Sequence, residues 1–102
     1  MIQIYTTPSC ASCRKAKILF DQYKIPYSEK NIFSIKLSKE DIFRMLANSE
    51  NGFDDIISTR SKVFKEKKLD PDNMSVQELI EFIIDYPSVL KRPIIINENE
   101  LQ

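Results

Sequence analysis

The chain has 102 residues, with 15 Lys and Arg against 15 Asp and Glu, so its formal net charge is zero. That length suits one domain, and a neutral chain has no global field to hold nucleic acid or an anionic membrane. The absence of His, with only two Cys and one Gly, excludes Ser-His-Asp triads, Cys-His dyads, His-held zinc or haem, four-Cys clusters, and the Gly-rich phosphate cradles of P-loop and dinucleotide-binding folds.

The start MIQIYTTPSC has no basic segment followed by an apolar run, so it does not read as a signal peptide. No stretch approaches the roughly 20 apolar residues of a membrane span. The expected location is the cytoplasm, with no membrane partner. There a Cys pair suggests redox or metal chemistry rather than a structural staple.

Ile2–Tyr5 predicts a short strand, and Pro8-Ser9 a turn. Ala16, Ile18-Leu19-Phe20 and Tyr23 recur at helical spacing and predict a helix from Ala11 to about Tyr23, ended by Ile25-Pro26. Tyr27–Ile32 reads as a second, parallel strand, although it carries several charges. Ser38 with Asp41 is a capping-box pattern ahead of Ile42, Phe43, Met45 and Leu46, which suit one helix face. Asn48–Asp54 reads as a loop and holds the single glycine, Gly52. Ser58–Lys68 is basic and predicts a short helix. Ser75 with Glu78 is a second capping box, opening a helix with Leu79, Ile80, Phe82 and Ile83 that Pro87 stops. Pro93 leads into a strand over Ile94–Asn97, followed by a turn at Asn97–Asn99.

This order predicts an α/β chain of thioredoxin-like fold. One domain, 1–102, would carry a helical insertion at about 34–88 between the second and third strands. That fold normally adds a strand and a final helix after the turn. Only Glu100-Leu101-Gln102 remain for them, which favours a protein continuing beyond residue 102, its C-terminal strand and helix truncated here.

The sharpest chemical signal is Cys10-Ala11-Ser12-Cys13, after a strand and opening a helix. Free N–H groups and the positive end of the helix dipole stabilise an anion at Cys10. Arg14, Lys15 and Lys17 add positive charge, and Cys13 at i+3 can resolve an oxidised Cys10 as a disulfide. Thiols of C-x-x-C motifs so placed ionise below the ~8.5 of a free cysteine. Two buried small residues that happen to be close would give the same spacing. A zinc site fits less well, because two thiolates leave its shell half empty; no metal and no cofactor are expected.

Arg92-Pro93 precedes the Ile94–Ile96 run. In thioredoxin-like folds this pair sits opposite the Cys helix, the proline often cis, so that Arg92 can reach a thiolate or oxyanion. A strand-start proline beside a solvated arginine is the plainer reading. Between Ser58 and Lys68, Arg60, Lys62, Lys65, Lys67 and Lys68 stand against Glu66. Such a run is usually a solvated face; it could meet a few phosphates but would not alone give strong DNA affinity. Gly52 serves either a turn with φ > 0 or the close approach of another backbone.

With these residues assembled, the chain resembles the arsenate-reductase-related family, and within it the redox-sensing transcription regulators of low-GC Gram-positive bacteria. The resemblance rests on YTTPSCASCRKA at Tyr5–Ala16, NIF at Asn31–Phe33, Gly52, DDIISTRSKVF at Asp54–Phe64 and KRPIII at Lys91–Ile96. It implies a regulator, not an enzyme, that binds the C-terminal domain of the RNA polymerase α subunit and meets promoter DNA only together with polymerase. Cys10 and Cys13 would be the redox switch, Arg92 and Pro93 coupled to it. Gly52 would lie at the polymerase contact, and Arg60 and Lys62 near DNA. It also implies recognition by the ClpXP protease and its adaptor through a C-terminal segment missing here. Arsenate reductases of this fold carry Cys-x-x-Ser-Arg, whereas Cys13 stands here before Arg14. Arg60 and Arg92 match two arginines that hold arsenate in the enzymes, and a third lies beyond residue 102. Arsenate reduction and general thiol–disulfide exchange are the alternatives.

Overall fold

The central strand, β1 (Ile2–Thr6), lies between β2 (Tyr27–Asn31) and β3 (Ile94–Asn97) in a sheet of order β2-β1-β3. The structure is a computed structural model and describes residues 2–58 and 61–97. Arg60 and most of the predicted turn at Asn97–Asn99 therefore lie outside the described residues. These residues fall into two compact units, one formed by the chain up to Ile35 and again from Arg92, the other by Lys36–Lys91.

In the first unit β1 and β2 are parallel, with Ile2 opposite Tyr27 and Thr6 opposite Asn31. β3 is antiparallel to β1, with Ile2 opposite Asn97 and Tyr5 opposite Ile94. Ile4, Tyr5 and Thr6 are consecutive and all buried, because a central strand is covered on both faces and so does not alternate. β3 alternates instead: Ile94 and Ile96 are buried while Ile95 is exposed, so one of its faces is covered. β2 carries Glu29 and Lys30 because it is an edge strand, where charge is tolerated.

Helix α1 (Ala11–Gln22) connects β1 to β2. Its end is set one residue earlier than the Ile25-Pro26 signal. Lys24 adopts a left-handed conformation (φ 55°), and the Ile25 N–H donates to the Phe20 carbonyl at 2.8 Å, the closing bond of a Schellman motif. The helix buries a different stripe from the expected one. Cys13 is buried, and Ala16, Lys17 and Phe20 are half-buried; these are i, i+3, i+4 and i+7. Ile18, Leu19 and Tyr23 are exposed. Phe20 packs on Tyr27 of β2, ring centroids 5.4 Å apart.

The second unit is helical. In α2 (Lys39–Ala47) the predicted capping box is complete: the Asp41 N–H donates to Ser38 Oγ at 3.2 Å, and the Ser38 N–H to Asp41 Oδ2 at 2.9 Å. Ile42 and Met45 are buried, but Phe43, expected on the same face, is exposed; it lies 100° from Ile42 around the helix. The loop ends earlier than expected, because Phe53–Ile56 forms a short helix, α3, with Gly52 as its N-cap. α4 (Lys62–Lys67) is the short basic helix, capped by Ser61, and α5 (Val76–Asp85) carries the second capping box. Leu79, Ile80, Phe82 and Ile83 of α5 are all buried, with Phe82 between Phe64 and Tyr86 at 5.1 Å from each ring. Two 3-10 turns, Pro71–Asn73 and Pro87–Val89, were not predicted. An isolated antiparallel bridge, Ile57 to Leu90, ties α3 to the end of the unit. No helix among the described residues is long and apolar enough to cross a membrane.

Candidate redox site

The two cysteines are joined as a disulfide, with their Cα atoms 5.1 Å apart, inside the usual range for such a bond. Cys10 is the N-cap of α1, in extended conformation (φ −102°, ψ 106°), and its sulfur accepts the Cys13 N–H at 3.0 Å. The Arg14 N–H donates to the Cys10 carbonyl at 3.2 Å, closing the first helical turn. Cys13 is 1% exposed whereas Cys10 is half-buried. An attacking thiol therefore reaches the Cys10 sulfur first. The first turn of α1 holds no acidic residue, so nothing there opposes an anion at Cys10.

Arg92 and Pro93 stand at the same end of the sheet as this disulfide. Because Tyr5 pairs with Ile94, the chain leaving β1 toward Cys10 and the chain reaching β3 through Pro93 meet the sheet at the same end of its strands. The Arg92–Pro93 peptide is cis.

Sequence reasoning missed a polar link that joins β1, β2 and α1. Thr6, at the end of β1, donates from Oγ1 to Glu29 Oε2 at 2.7 Å. Lys17, one turn past Cys13, reaches the same carboxylate at 3.0 and 3.3 Å. The Thr6 hydroxyl first, then the Lys17 ammonium, hold the Glu29 carboxyl below its usual range. The signal was present in outline, as charges on a strand that read poorly as a strand.

In the second unit Gly52 has φ 64° and ψ −132°, and a Cβ built on it would meet nothing within 4 Å. The turn reading of this glycine therefore holds on backbone grounds, while the space beside it is open. Asp55 clamps the loop: its Oδ2 accepts the Glu50 and Asn51 N–H groups at 2.9 and 2.8 Å. The Asn51 backbone bond is the main cause of an Asp55 carboxyl held below its ordinary value. Lys62 is exposed at the start of α4, and the Lys67 ammonium lies 4.8 Å over the Tyr86 ring.

A mixed sheet of this order, with a C-x-x-C disulfide at the N-terminus of the helix after β1, defines a protein of thioredoxin-like fold. Solved structures agree on the fold. A possible arsenate reductase from Streptococcus mutans superposes with a TM-score of 0.83 at 23% identity, over 96% of this chain and 84% of that one. Arsenate reductase from Vibrio cholerae gives 0.81 at 21% identity, over 95% and 83%. The chain belongs to the ArsC family, whose model matches residues 5–102. Within it the chain is similar to proteins named Spx. It is 49% identical to the global transcriptional regulator Spx 1 of Bacillus cereus, over 100% of this chain and 78% of that protein. It is 49% identical to Spx of Listeria monocytogenes and 47% to Spx of Bacillus subtilis, with the same coverage.

Proposed function

We propose that the chain is a redox-sensitive transcriptional regulator. It binds the C-terminal domain of the RNA polymerase α subunit and alters promoter engagement under disulfide stress. The observation that carries this reading is the near-half identity to the Spx regulators over the whole chain. The accessible Cys10 paired with the buried Cys13 supports a disulfide switch within that reading. Gly52 is the polymerase contact, Arg92 and Pro93 transmit the state of the switch, and Arg60 and Lys62 approach DNA once polymerase is bound. Weak phosphate contacts of this kind become effective through tethering to the partner.

Co-precipitation of the α C-terminal domain by oxidised and by reduced protein tests the reading. Binding together with a redox-dependent change in promoter activation supports it, and no binding in either state overturns it. Cys10–Cys13 would serve equally well in a thiol–disulfide oxidoreductase. Catalytic turnover of a model disulfide without binding to the α domain would establish that alternative. The isolated protein should bind no promoter fragment specifically at physiological salt.

A further inference from the structure

Glu29 occupies the middle of β2, opposite Ile4 of β1. Its carboxylate accepts both the hydroxyl of Thr6, which is 2% exposed, and the ammonium of Lys17. Thr6 ends the strand that leads, four residues on, to Cys10. Lys17 lies one helical turn past Cys13 on the same stripe of α1, whose N-cap is Cys10. It is therefore a cation on the cysteine stripe whose charge is already engaged by a carboxylate. A cation on the helix that a thiolate caps stabilises that thiolate at protein-surface dielectric, and a carboxylate paired with the cation cancels most of the effect.

We propose that Glu29 is a positioning residue that sets the reducibility of the Cys10–Cys13 disulfide by holding Lys17. The proposal rests on the reading of that pair as a redox switch. Reduction by a small dithiol breaks the S–S bond and delivers two electrons. Cys10 is left as thiolate, Cys13 takes one proton, the reductant's second proton goes to solvent, and the reductant closes its own disulfide. The charge that newly appears at Cys10 is what Lys17 and Glu29 act on. With Glu29 ionised, the thiolate gains little from Lys17 and the disulfide is harder to reduce. The other ionisable groups on the elements that carry the site are Arg14, Lys15 and Asp21 on α1, Tyr5 on β1, Tyr27 and Lys30 on β2, and Arg92 before β3. They are common to every variant and cancel in the differences.

The test is equilibration with dithiothreitol redox buffers at pH 7 and low salt. The unmodified protein is measured first. A reversible two-electron response supports the switch itself, and failure to obtain one overturns both the switch and this proposal. A failure confined to the variants leaves the switch standing. Glu29→Gln keeps an oxygen for the Thr6 hydroxyl and removes only the charge. It should shift the equilibrium toward dithiol by about three- to tenfold, tenfold being about 30 mV for this couple. Lys17→Met leaves the Glu29 charge uncompensated and should shift it the opposite way. Both shifts should shrink in 1 M salt. The double variant carries neither charge and should return to within about twofold of the original value, a comparison that stands even if Lys17→Met alone does not fold. If the pair merely tethers α1 to the sheet, both single variants shift the same way and salt changes nothing. That result, or an unmoved Glu29→Gln, overturns the proposal.

Discussion

The backbone N–H of Cys13 donates to the sulfur of Cys10 at 3.0 Å, so the sulfur on which charge appears when the disulfide opens is also the N-cap of α1, held by the residue that closes the bond. A hydrogen bond to an ionised acceptor is roughly twice as strong as a neutral one. The contact therefore favours thiolate at Cys10 and does nothing comparable for the buried Cys13. After reduction, Cys10 should react with iodoacetamide near neutral pH at least about tenfold faster than Cys13, and mild oxidant should restore the intramolecular bond. Mass-spectrometric mapping of the label checks both. Equal, slow labelling of the two thiols would contradict the first.

Gly52 offers a separation between backbone and surface roles. Its φ of 64° with ψ −132° is a conformation that L side chains adopt only under strain, while a side chain placed there meets open space. Gly52→Ala should cost about 1–3 kcal/mol of stability through the backbone alone and leave binding to the α C-terminal domain in place. Gly52→Arg should cost about the same stability and abolish binding, by blocking a close approach. Urea titration and a binding assay on both variants check this. Equal binding by Gly52→Arg and the unmodified chain, or equal loss in both variants, removes Gly52 from the polymerase contact.

Acid should weaken the fold in a defined range. Glu29, Asp55 and Glu78 are all held below their ordinary values: the first chiefly by the Thr6 hydroxyl, the others by backbone N–H groups of Asn51 and Ser75. A carboxyl whose pKa is lower in the folded state adds stability that is complete above its unfolded pKa and lost as pH falls through the folded one. Stability should be flat from pH 7 to about 5, then decline below about 4.5. Asp55→Asn should lessen the decline. Urea midpoints across pH 7 to 3 measure it.

Arg92 is the residue proposed to carry the state of the switch. Arg92→Ala should leave disulfide formation and binding to the α domain unchanged, and erase the difference between oxidised and reduced protein in promoter activation. In vitro transcription with each form checks this. A full redox response in the variant assigns the coupling to another residue.

The helix starts were legible because their signals are local. Ser38 with Asp41 and Ser75 with Glu78 satisfy each other's backbone within three residues. The Cys10–Cys13 site was legible for the same reason, since a strand, a turn and a helix start are all written within Ile2–Cys13. What escaped notice depends on partners far along the chain. Ile18 and Leu19 look like core, but which stripe of α1 turns inward is set by β2, through Tyr27 against Phe20 and Glu29 against Lys17. The loop around Gly52 read as irregular until Asp55, itself inside a helix, proved to hold its amides.

The depth of Cys13, 1% exposed against a half-buried Cys10, bears on how such a protein survives peroxide. A thiolate attacked by peroxide becomes a sulfenic acid, which either condenses with a second thiol or is oxidised further to sulfinic acid and lost. Here the second thiol is shielded from the oxidant yet lies within bonding reach of the first. On the proposed reading of the pair as a redox switch, oxidation at Cys10 would be diverted into a reducible bond before the irreversible rung, and a dithiol could return each molecule to service.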